Sequence, residues 1–194
     1  MWIGTFCLLV SLKNMKYITL LRGVNVGGNR KIEMGRLKAV FQSLGFSGVT
    51  TYINSGNIIF EASTQPDQKK IEVAMEKEFG FSTQLLIKTE SEMQAIANAI
   101  PKSWQNDTFQ RTDVAYLFDA IDYKKIIDEL PIKKEFVDIR SVPGAIFWNV
   151  KRKDYYKSHL SRLIAHALYK FMTVRNVNTA RRLGGIIRID NGPC

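Results

Sequence analysis

The feature that most limits what this chain can fold into is the order of its predicted strands and helices between residues 16 and 88. An apolar strand leads into a glycine-rich loop and an amphipathic helix, and then into two strands joined by Ser55-Gly56. Glycine accepts positive φ, which predicts a two-residue hairpin turn there. The predicted segments are the strands 16–22, 49–54, 57–60 and 83–88 and the helices 33–44 and 66–80. This βαββαβ order is that of a ferredoxin-like unit, in which the first and third strands are central.

The same order recurs in the second part of the chain. The predicted segments there are the strands 113–118, 136–142, 145–150 and 172–174 and the helices 122–130 and 154–169. Strand 136–142 alternates between apolar and polar residues, as an edge strand does, whereas strand 145–150 is apolar enough to be central. We therefore predict an α+β fold of two ferredoxin-like (βαββαβ) halves with antiparallel sheets and a short C-terminal helix.

The predicted boundaries follow from these segments. They are an N-terminal extension (1–14), a first half (15–88), a connecting helix and loop (89–111), a second half (112–174) and a C-terminal helix and tail (175–194). Thr89 and Glu92 have the spacing of a capping box at the start of the connecting helix.

The first 14 residues are apolar but too short to span a bilayer, and they lack the basic start and cleavage site of a signal peptide. We interpret them as an upstream extension of a native protein that begins at Met15. The alternative is an extra strand or helical turn that docks on the core. No other stretch predicts a membrane segment, so we expect a soluble, cytoplasmic protein with no membrane partner.

Positive charge is concentrated near the C-terminus, although the whole chain already has a net charge of +10. Residues 151–188 hold ten Lys or Arg residues against the single acid Asp154. A concentrated positive field attracts nucleic acid or phosphorylated small molecules. The alternative is a solvated basic surface that only aids solubility. Two cysteines and two histidines provide no metal-ligand pattern, so we expect neither a metal nor a cofactor.

The glycine-rich loop is the first candidate ligand site, because it follows a strand and precedes a helix, where backbone N–H groups can hold a phosphate. Its candidate residues are Arg22, Asn25, Gly27, Gly28, Arg30 and Lys31. Gly23 and Gly28 match the glycine spacing of a P-loop, but Asn29-Arg30 replaces the Lys-Ser/Thr that a P-loop requires. The alternative is that the glycines only shape a tight turn.

Two further polar motifs complete the predicted site. The first comprises Asn54, Ser55 and Asn57, and the second comprises Arg175, Asn176, Asn178 and Thr179. Amide side chains and an arginine can bind phosphate or a base edge. The alternatives are that the first motif satisfies the backbone of its turn and that Asn176 or Asn178 caps a helix.

Aromatic residues on the central strands of the second half raise the question of RNA binding. They are Tyr116, Phe118, Phe147 and Trp148. Ferredoxin-like RNA-binding modules stack bases on exposed strand aromatics within a motif that this chain lacks. We favour the interpretation that these residues are core. His159 and His166 lie seven residues apart on a predicted helix, and we interpret them as structural.

Three motifs together resemble one family. They are Leu20-Leu-Arg-Gly-Val-Asn-Val-Gly-Gly28, Thr51-Tyr-Ile-Asn-Ser-Gly-Asn57 and Thr173-Val-Arg-Asn-Val-Asn-Thr179. With their spacing they resemble the bacterial family catalogued as domain of unknown function 1697, over roughly Met15 to Leu183. The resemblance implies two ferredoxin-like halves. It implies no activity, because that family has no established biochemical function and no agreed catalytic residues.

These observations lead to three functional hypotheses. In the first, the protein binds an anionic ligand, nucleic acid or a nucleotide, through the glycine-rich loop and the basic C-terminal segment. In the second, it is an enzyme that acts on a small phosphorylated or carboxylated metabolite, with Arg22, Asn25 and Arg175 as substrate clamps. In the third, it is an interaction protein without a ligand. The sequence leaves open the ligand, the catalytic residues and the oligomeric state.

Overall fold

The computed structural model describes residues 14–27, 30–118 and 122–185. The first half consists of β1 (Met15–Leu21), α1 (Met34–Ser43), β2 (Ser47–Tyr52), β3 (Asn57–Ala62), α2 (Gln68–Phe79) and β4 (Leu85–Thr89), followed by the connecting helix α3 (Glu90–Ala99). The second half consists of β5 (Gln110–Leu117), α4 (Ile126–Glu129), β6 (Val137–Val142), β7 (Ala145–Lys151), β8 (Met172–Asn176) and α5 (Val177–Leu183). Four 3₁₀ segments accompany them, at Lys134–Phe136, Arg152–Asp154, Leu160–Ala165 and Ala167–Phe171.

The strands form two four-stranded antiparallel sheets with the orders β2-β3-β1-β4 and β6-β7-β5-β8. The first and third strands of each half are therefore central, as the sequence predicts, and β6 lies at an edge. The predicted fold of two ferredoxin-like halves with a C-terminal helix is confirmed.

A shared apolar core joins the two halves, because alternate residues of β1 face opposite sides of the first sheet. Tyr17 and Leu21 pack with α1 and α2, whereas Ile18 and Leu20 pack in the shared core. Residues of β5, β7, α3 and α5 complete that core: Met93, Ile96, Val114, Tyr116, Ala145, Phe147, Val177 and Ala180. The second sheet therefore turns one face towards the first half.

The predicted aromatic residues of the second sheet are core residues, as we expected. Tyr116 and Phe147 are fully buried in the shared core, and Phe118 packs against it. Trp148 lies on the other face of the sheet, in a separate core beneath the 3₁₀ segments. None of these four rings is an exposed stacking face of the sheet.

The turn between β2 and β3 is longer than predicted. Tyr52 pairs with Asn57, so the loop has four residues, Ile53 to Gly56, and the two-residue prediction is wrong. A Cβ on Gly56 would lie 2.6 Å from a methyl group of Val24 and 2.8 Å from Cβ of Leu21. Only glycine fits this close approach of the turn to the glycine-rich loop, and its φ of 71° also favours glycine.

The predicted helix at 154–169 is also wrong, because this stretch forms 3₁₀ segments interrupted by His159 at a φ of 61°. The carbonyl of Ser158 accepts a hydrogen bond from Lys133 N, and Arg162 N bonds to His159 instead. A tertiary contact thus replaces an α-helical hydrogen bond. Tyr156 and Ile164, which a helix would bury, are consequently 82% and 68% exposed. The helix predicted at 122–130 is also shorter than expected, because it spans only Ile126–Glu129. The predicted N-terminal extension, apart from residue 14, and residues 119–121 lie outside the described residues.

Other local predictions are confirmed. The hydroxyl of Thr89 accepts a hydrogen bond from Glu92 N at 3.2 Å, and Thr89 N donates to the Glu92 carboxylate at 2.8 Å, which is the predicted capping box. The predicted short C-terminal helix is α5, which ends at Leu183 with Gly184 at its C-cap. Within the described ranges, none of the helices has the length and apolar character that crossing a membrane would require.

We predict opposite effects for two Gly→Ala replacements. A Cβ on Gly184 would lie 2.3 Å from Cβ of Ala97 on α3, so Gly184→Ala should lower the free energy of unfolding by about 1–3 kcal/mol. Gly35 lies in α1, and a Cβ there would lie 3.6 Å from the Glu33 carboxylate, which is an ordinary contact. Gly35→Ala should therefore raise the free energy of unfolding by about 0.5–1 kcal/mol. Urea denaturation measures both. A Gly184→Ala protein as stable as the parent would contradict the close approach of α5 to α3.

Candidate functional site

The three predicted motifs meet around the guanidinium of Arg175, which lies on β8. Arg175 Nε donates to Asn57 Oδ1 at 2.7 Å. Nη1 donates to Thr173 Oγ1 and to the carbonyl of Val174, each at 2.9 Å, and Nη2 donates to the carbonyls of Leu21 and Ser55, each at 2.9 Å. A guanidinium has five N–H donors, so protein acceptors occupy all of them. Arg175 thereby joins β8 of the second half to β1 and the β2–β3 turn of the first.

The Arg175 side chain is a buried cation. The residue is 8% exposed, and burial lowers its pKa to about 10, although Tyr116 and Tyr169 act in the opposite direction. Among the described residues, no carboxylate forms a salt bridge with it. Carbonyl and amide oxygens therefore compensate the charge, and the arginine acts as a latch between the halves.

Asn57 provides the side-chain acceptor for Arg175 in the first half. It is fully buried, and its Nδ2 donates to the carbonyl of Tyr52 at 3.0 Å and to Ser55 Oγ at 2.8 Å. These two bonds orient the amide so that its Oδ1 accepts from Arg175. Asn57 thus satisfies the backbone of its turn, which the sequence left as an alternative to ligand binding. It also contacts the second half.

Asn25 closes the glycine-rich loop. Its backbone has a φ of 55°, its Oδ1 accepts from Ile32 N at 2.8 Å, and its Nδ2 donates to the carbonyl of Ile32 at 2.9 Å. The same Nδ2 lies 2.8 Å from the carbonyl of Asn54. The side chain of Asn25 therefore fastens both ends of the loop to each other and to the β2–β3 turn.

Two cations of the loop remain on the surface. Arg30 and Lys31 are exposed, and neither has a salt-bridge partner among the residues that the structure describes. Arg30 and Gly27 both adopt positive φ, at 55° and 68°. The predicted site residue Gly28 lies outside the described residues. The loop consequently presents two free charges from a backbone that Asn25 restrains.

Arg22 lies where the loop leaves β1, next to the second half. Its Nη1 donates to Gln84 Oε1 at 3.2 Å, and its guanidinium lies 5.9 Å from the ring centre of Tyr169. Its Nε is buried and makes no hydrogen bond within the described chain. Arg22 thus brings a partly exposed cation to the boundary between the two halves.

The last predicted motif begins helix α5. Asn176 Oδ1 accepts from Thr179 N at 2.9 Å and caps the helix, as the structural alternative predicts. Thr179 is buried, whereas Asn178 is exposed. Of this motif, Arg175 and Thr179 are therefore enclosed by protein, and Asn178 remains open to solvent.

Several cations of the basic C-terminal segment also donate hydrogen bonds to other parts of the chain. Arg181 Nη2 donates to the carbonyls of Pro101 and Trp104 at 3.0 and 2.9 Å, which closes the loop after α3. Arg152 donates to the carbonyl of Asp107 and to Asn106 Oδ1. The charge of residues 151–188 is therefore divided between internal contacts and the surface.

Sequence reasoning missed a groove of about 510 Å³ at the seam between the halves. It is lined by Lys88, Glu92, Ala95, Ile96, Val142, Pro143 and Gly144. Lys88 is buried, and its Nζ lies 3.5 Å from Glu92 Oε1. The signal in the sequence was a charged residue at an inward position of β4, next to the capping box.

Metal ligands and the two histidines are the other groups that could carry chemistry. In the described part of the chain, His, Cys, Asp and Glu side chains form no group of three that could hold a metal ion. His159 and His166 flank a 3₁₀ segment instead of sharing one side of a helix. Burial and nearby Arg162 lower the pKa of His159.

We predict that Arg175→Lys lowers the free energy of unfolding by at least about 2 kcal/mol, although it keeps the charge. An ammonium has three donors, so at least two buried acceptors lose their partner. Arg162→Lys is the matched control, since Arg162 is exposed and should change stability by less than about 0.5 kcal/mol. Urea denaturation of both variants measures the difference. Equal midpoints would contradict the latch.

We predict that the stability lost in Glu92→Gln depends on pH. Burial opposes ionisation of Glu92, but hydrogen bonds from Thr89 and the charge of Lys88 lower its pKa. Its charge therefore stabilises the fold above the pKa of the unfolded chain, near 4.5, and this contribution disappears as the pH falls through the lower folded pKa. Glutamine retains capping, so the loss of unfolding free energy should be on the order of 0.5 kcal/mol at pH 7 and should vanish in acid, once Glu92 is protonated in the folded protein as well. If the parent and Glu92→Gln differ by the same unfolding free energy in acid as at pH 7, the charge of Glu92 does not contribute as predicted.

Comparisons with known proteins agree with the fold. The conserved bacterial protein SP0830 from Streptococcus pneumoniae has a similar structure, with a TM-score of 0.74 and 23% sequence identity, over 91% of this chain and 100% of that chain. At this identity the likeness shows the fold alone. No functionally curated protein matches the chain significantly. The model of a family described as "Protein of unknown function (DUF1697)" matches residues 15–148. The chain therefore belongs to the DUF1697 family.

Proposed function

We propose that this protein binds an anionic ligand, nucleic acid or a nucleotide, through the loop of residues 22–31 and the basic C-terminal segment. The observation that most supports this is the presentation of Arg30 and Lys31. Both are exposed, and neither is paired with an acid within the described residues. A phosphate that approaches the loop therefore has no carboxylate of the described residues to displace from Arg30 or Lys31.

The described parts of the loop are also held in place before any ligand arrives. The three hydrogen bonds of the Asn25 side chain connect the loop to itself and to the β2–β3 turn. A restrained loop loses less conformational entropy on binding than a mobile one. Preorganisation of this kind favours binding by a surface that has only a few charges.

Apolar side chains lie next to these charges. Val26 in the loop is 69% exposed, and Ile53 in the β2–β3 turn is 48% exposed. The bond from Asn25 to Asn54 holds the loop and the turn side by side. This combination suits a nucleotide, which carries a phosphate together with an apolar base face.

A second candidate function is an enzyme on a small phosphorylated or carboxylated metabolite, and the seam groove favours it. The groove falls in the size range of small-molecule sites and has a Lys–Glu pair in an otherwise mostly apolar lining. Two of the substrate clamps that we considered, Asn25 and Arg175, already bind protein groups. The seam groove is the alternative place for such a substrate.

We predict that Arg30→Glu/Lys31→Glu weakens binding of short RNA, short DNA or a nucleotide at least tenfold at low salt. Each replacement puts repulsion where the phosphate would lie, and the affinity of the parent should fall linearly with salt in a log–log plot. Fluorescence anisotropy at several salt concentrations measures both. Lys69→Glu/Lys77→Glu is the matched control, because it makes the same charge change at exposed positions of α2.

Other outcomes separate the candidates. If the two double variants lose the same affinity, binding follows net charge and the loop has no special role. If no nucleic acid or nucleotide binds at low salt, the proposal fails. Saturable thermal stabilisation by one metabolite, with no response to nucleic acid, would favour the second candidate.

A further inference from the structure

The seam groove combines an ionic pair with an apolar surface. It has a volume of about 510 Å³, and its lining comes from β4, from α3 and from the turn between β6 and β7. The apolar part of the lining is Ala95, Ile96, Val142 and Pro143, and the charged part is Lys88 and Glu92. Concave and mostly apolar sites with a few polar groups, placed between two parts of a fold, are typical of small-molecule binding.

Lys88 brings a positive charge to the groove from within the fold. It lies opposite Ile18 in the register of β1 and β4, so it shares the sheet face that turns towards the shared core. Only 7% of its side chain is exposed, and its Nζ lies 3.5 Å from Glu92 Oε1, which is long for a charge-assisted hydrogen bond. The low local dielectric strengthens the attraction between this ammonium and an anion that enters the groove.

Glu92 presents one fixed carboxylate oxygen to the groove. Its Oε2 accepts hydrogen bonds from Thr89 N and Thr89 Oγ1, each at 2.8 Å, within the capping box. These bonds orient the carboxylate so that Oε1 faces Lys88. The Glu92 side chain is 48% exposed, so a cation that comes from solvent can reach it.

Gly144 keeps the space beside the Lys88 ammonium open. The β6–β7 turn has two residues, because Val142 pairs with Ala145, and the Gly144 carbonyl accepts a hydrogen bond from Leu117 N at 2.9 Å. A Cβ on Gly144 would lie 3.4 Å from Lys88 Nζ. A side chain at this position would therefore cover the ammonium, whereas glycine, at a φ of 79°, leaves it next to the apolar lining.

The ionic pair limits the class of ligand that suits the groove. A ligand with only an amine would compete with Lys88 for Glu92, and one with only a carboxylate would compete with Glu92 for Lys88. A zwitterion brings an opposite charge to each member and leaves the pair in place. The apolar lining requires an apolar group on the same molecule. A free α-amino acid with an apolar side chain meets both requirements.

We propose that the seam groove binds an apolar α-amino acid. The ligand carboxylate lies against the Lys88 ammonium, the ligand ammonium lies against Glu92 Oε1, and the apolar side chain packs on Ile96 and Val142. This inference rests on the second candidate function for its site. It narrows the small carboxylated metabolite of that candidate to one chemical class.

The test is a calorimetric titration of the full chain with L-leucine and L-phenylalanine. Three comparison ligands each lack one feature: glycine lacks the apolar side chain, N-acetyl-L-leucine lacks the ammonium and L-leucinamide lacks the carboxylate. We expect each of the three to bind at least about tenfold more weakly than L-leucine, because a charged hydrogen bond or a buried apolar side chain contributes at least that factor.

Variants then locate the site. Ala95→Phe fills the groove from an exposed position of α3 and should abolish binding, whereas Asn98→Phe is the matched control, since Asn98 is exposed on the same helix and does not line the groove. Glu92→Gln retains capping and should weaken L-leucine at least about tenfold. It should not weaken N-acetyl-L-leucine, which has no ammonium. Thermal unfolding checks that each variant is folded.

The opposite results would overturn this inference. If N-acetyl-L-leucine or L-leucinamide binds as tightly as L-leucine, the groove recognises a single charge. If glycine binds as tightly, the apolar lining has no role, and if Ala95→Phe binds like the parent, the amino acid lies elsewhere.

The absence of binding by any amino acid at millimolar concentration would also overturn the inference. If a phosphorylated metabolite then stabilises the protein saturably, the second candidate function stands without it, and if none does, both fail. The loop proposal is independent of these results, because Arg30→Glu/Lys31→Glu tests it on a different surface.

Discussion

The arrangement of the two halves depends on one buried guanidinium. Arg175 has lost most of its hydration, a cost that is offset only when the donors of a buried charge find good partners. Its acceptors come from β1, from the β2–β3 turn and from β8 itself. The relative position of the halves is therefore specified by planar hydrogen-bond geometry in addition to the apolar packing of the shared core.

Arg175 also shows that part of the positive charge near the C-terminus serves the fold and is not available to a ligand. Arg152, Arg175 and Arg181 donate to backbone carbonyls, a task for which the fork of a guanidinium is well suited. Other cations remain exposed, among them Arg30 and Lys31 in the glycine-rich loop. Total charge thus overstates the charge that is available to a ligand, because part of it is engaged by protein groups.

The failed predictions have a common physical cause. The apolar spacing of residues 154–169 fits a helix, but the hydrogen bond from Lys133 N to the Ser158 carbonyl competes with the helical pattern. The Ser55-Gly56 pair fits a short turn, but the register of β2 and β3 leaves four residues in the loop. In both cases a contact with another part of the chain overrides a local preference. The first of these exposes Tyr156, which periodicity alone would have buried.

The sequence by itself determined the order of the strands, which of them are central and which lie at an edge, the capping box at Thr89 and the residues of the family motifs. These features depend on neighbouring residues, through apolar periodicity and capping. Only the tertiary structure decided that the three polar motifs meet and that protein groups occupy Arg175, because Arg175 and Asn57 are 118 residues apart. It also decided which cations and rings face solvent. Such facts follow from which surfaces pack together, and local spacing does not specify that packing.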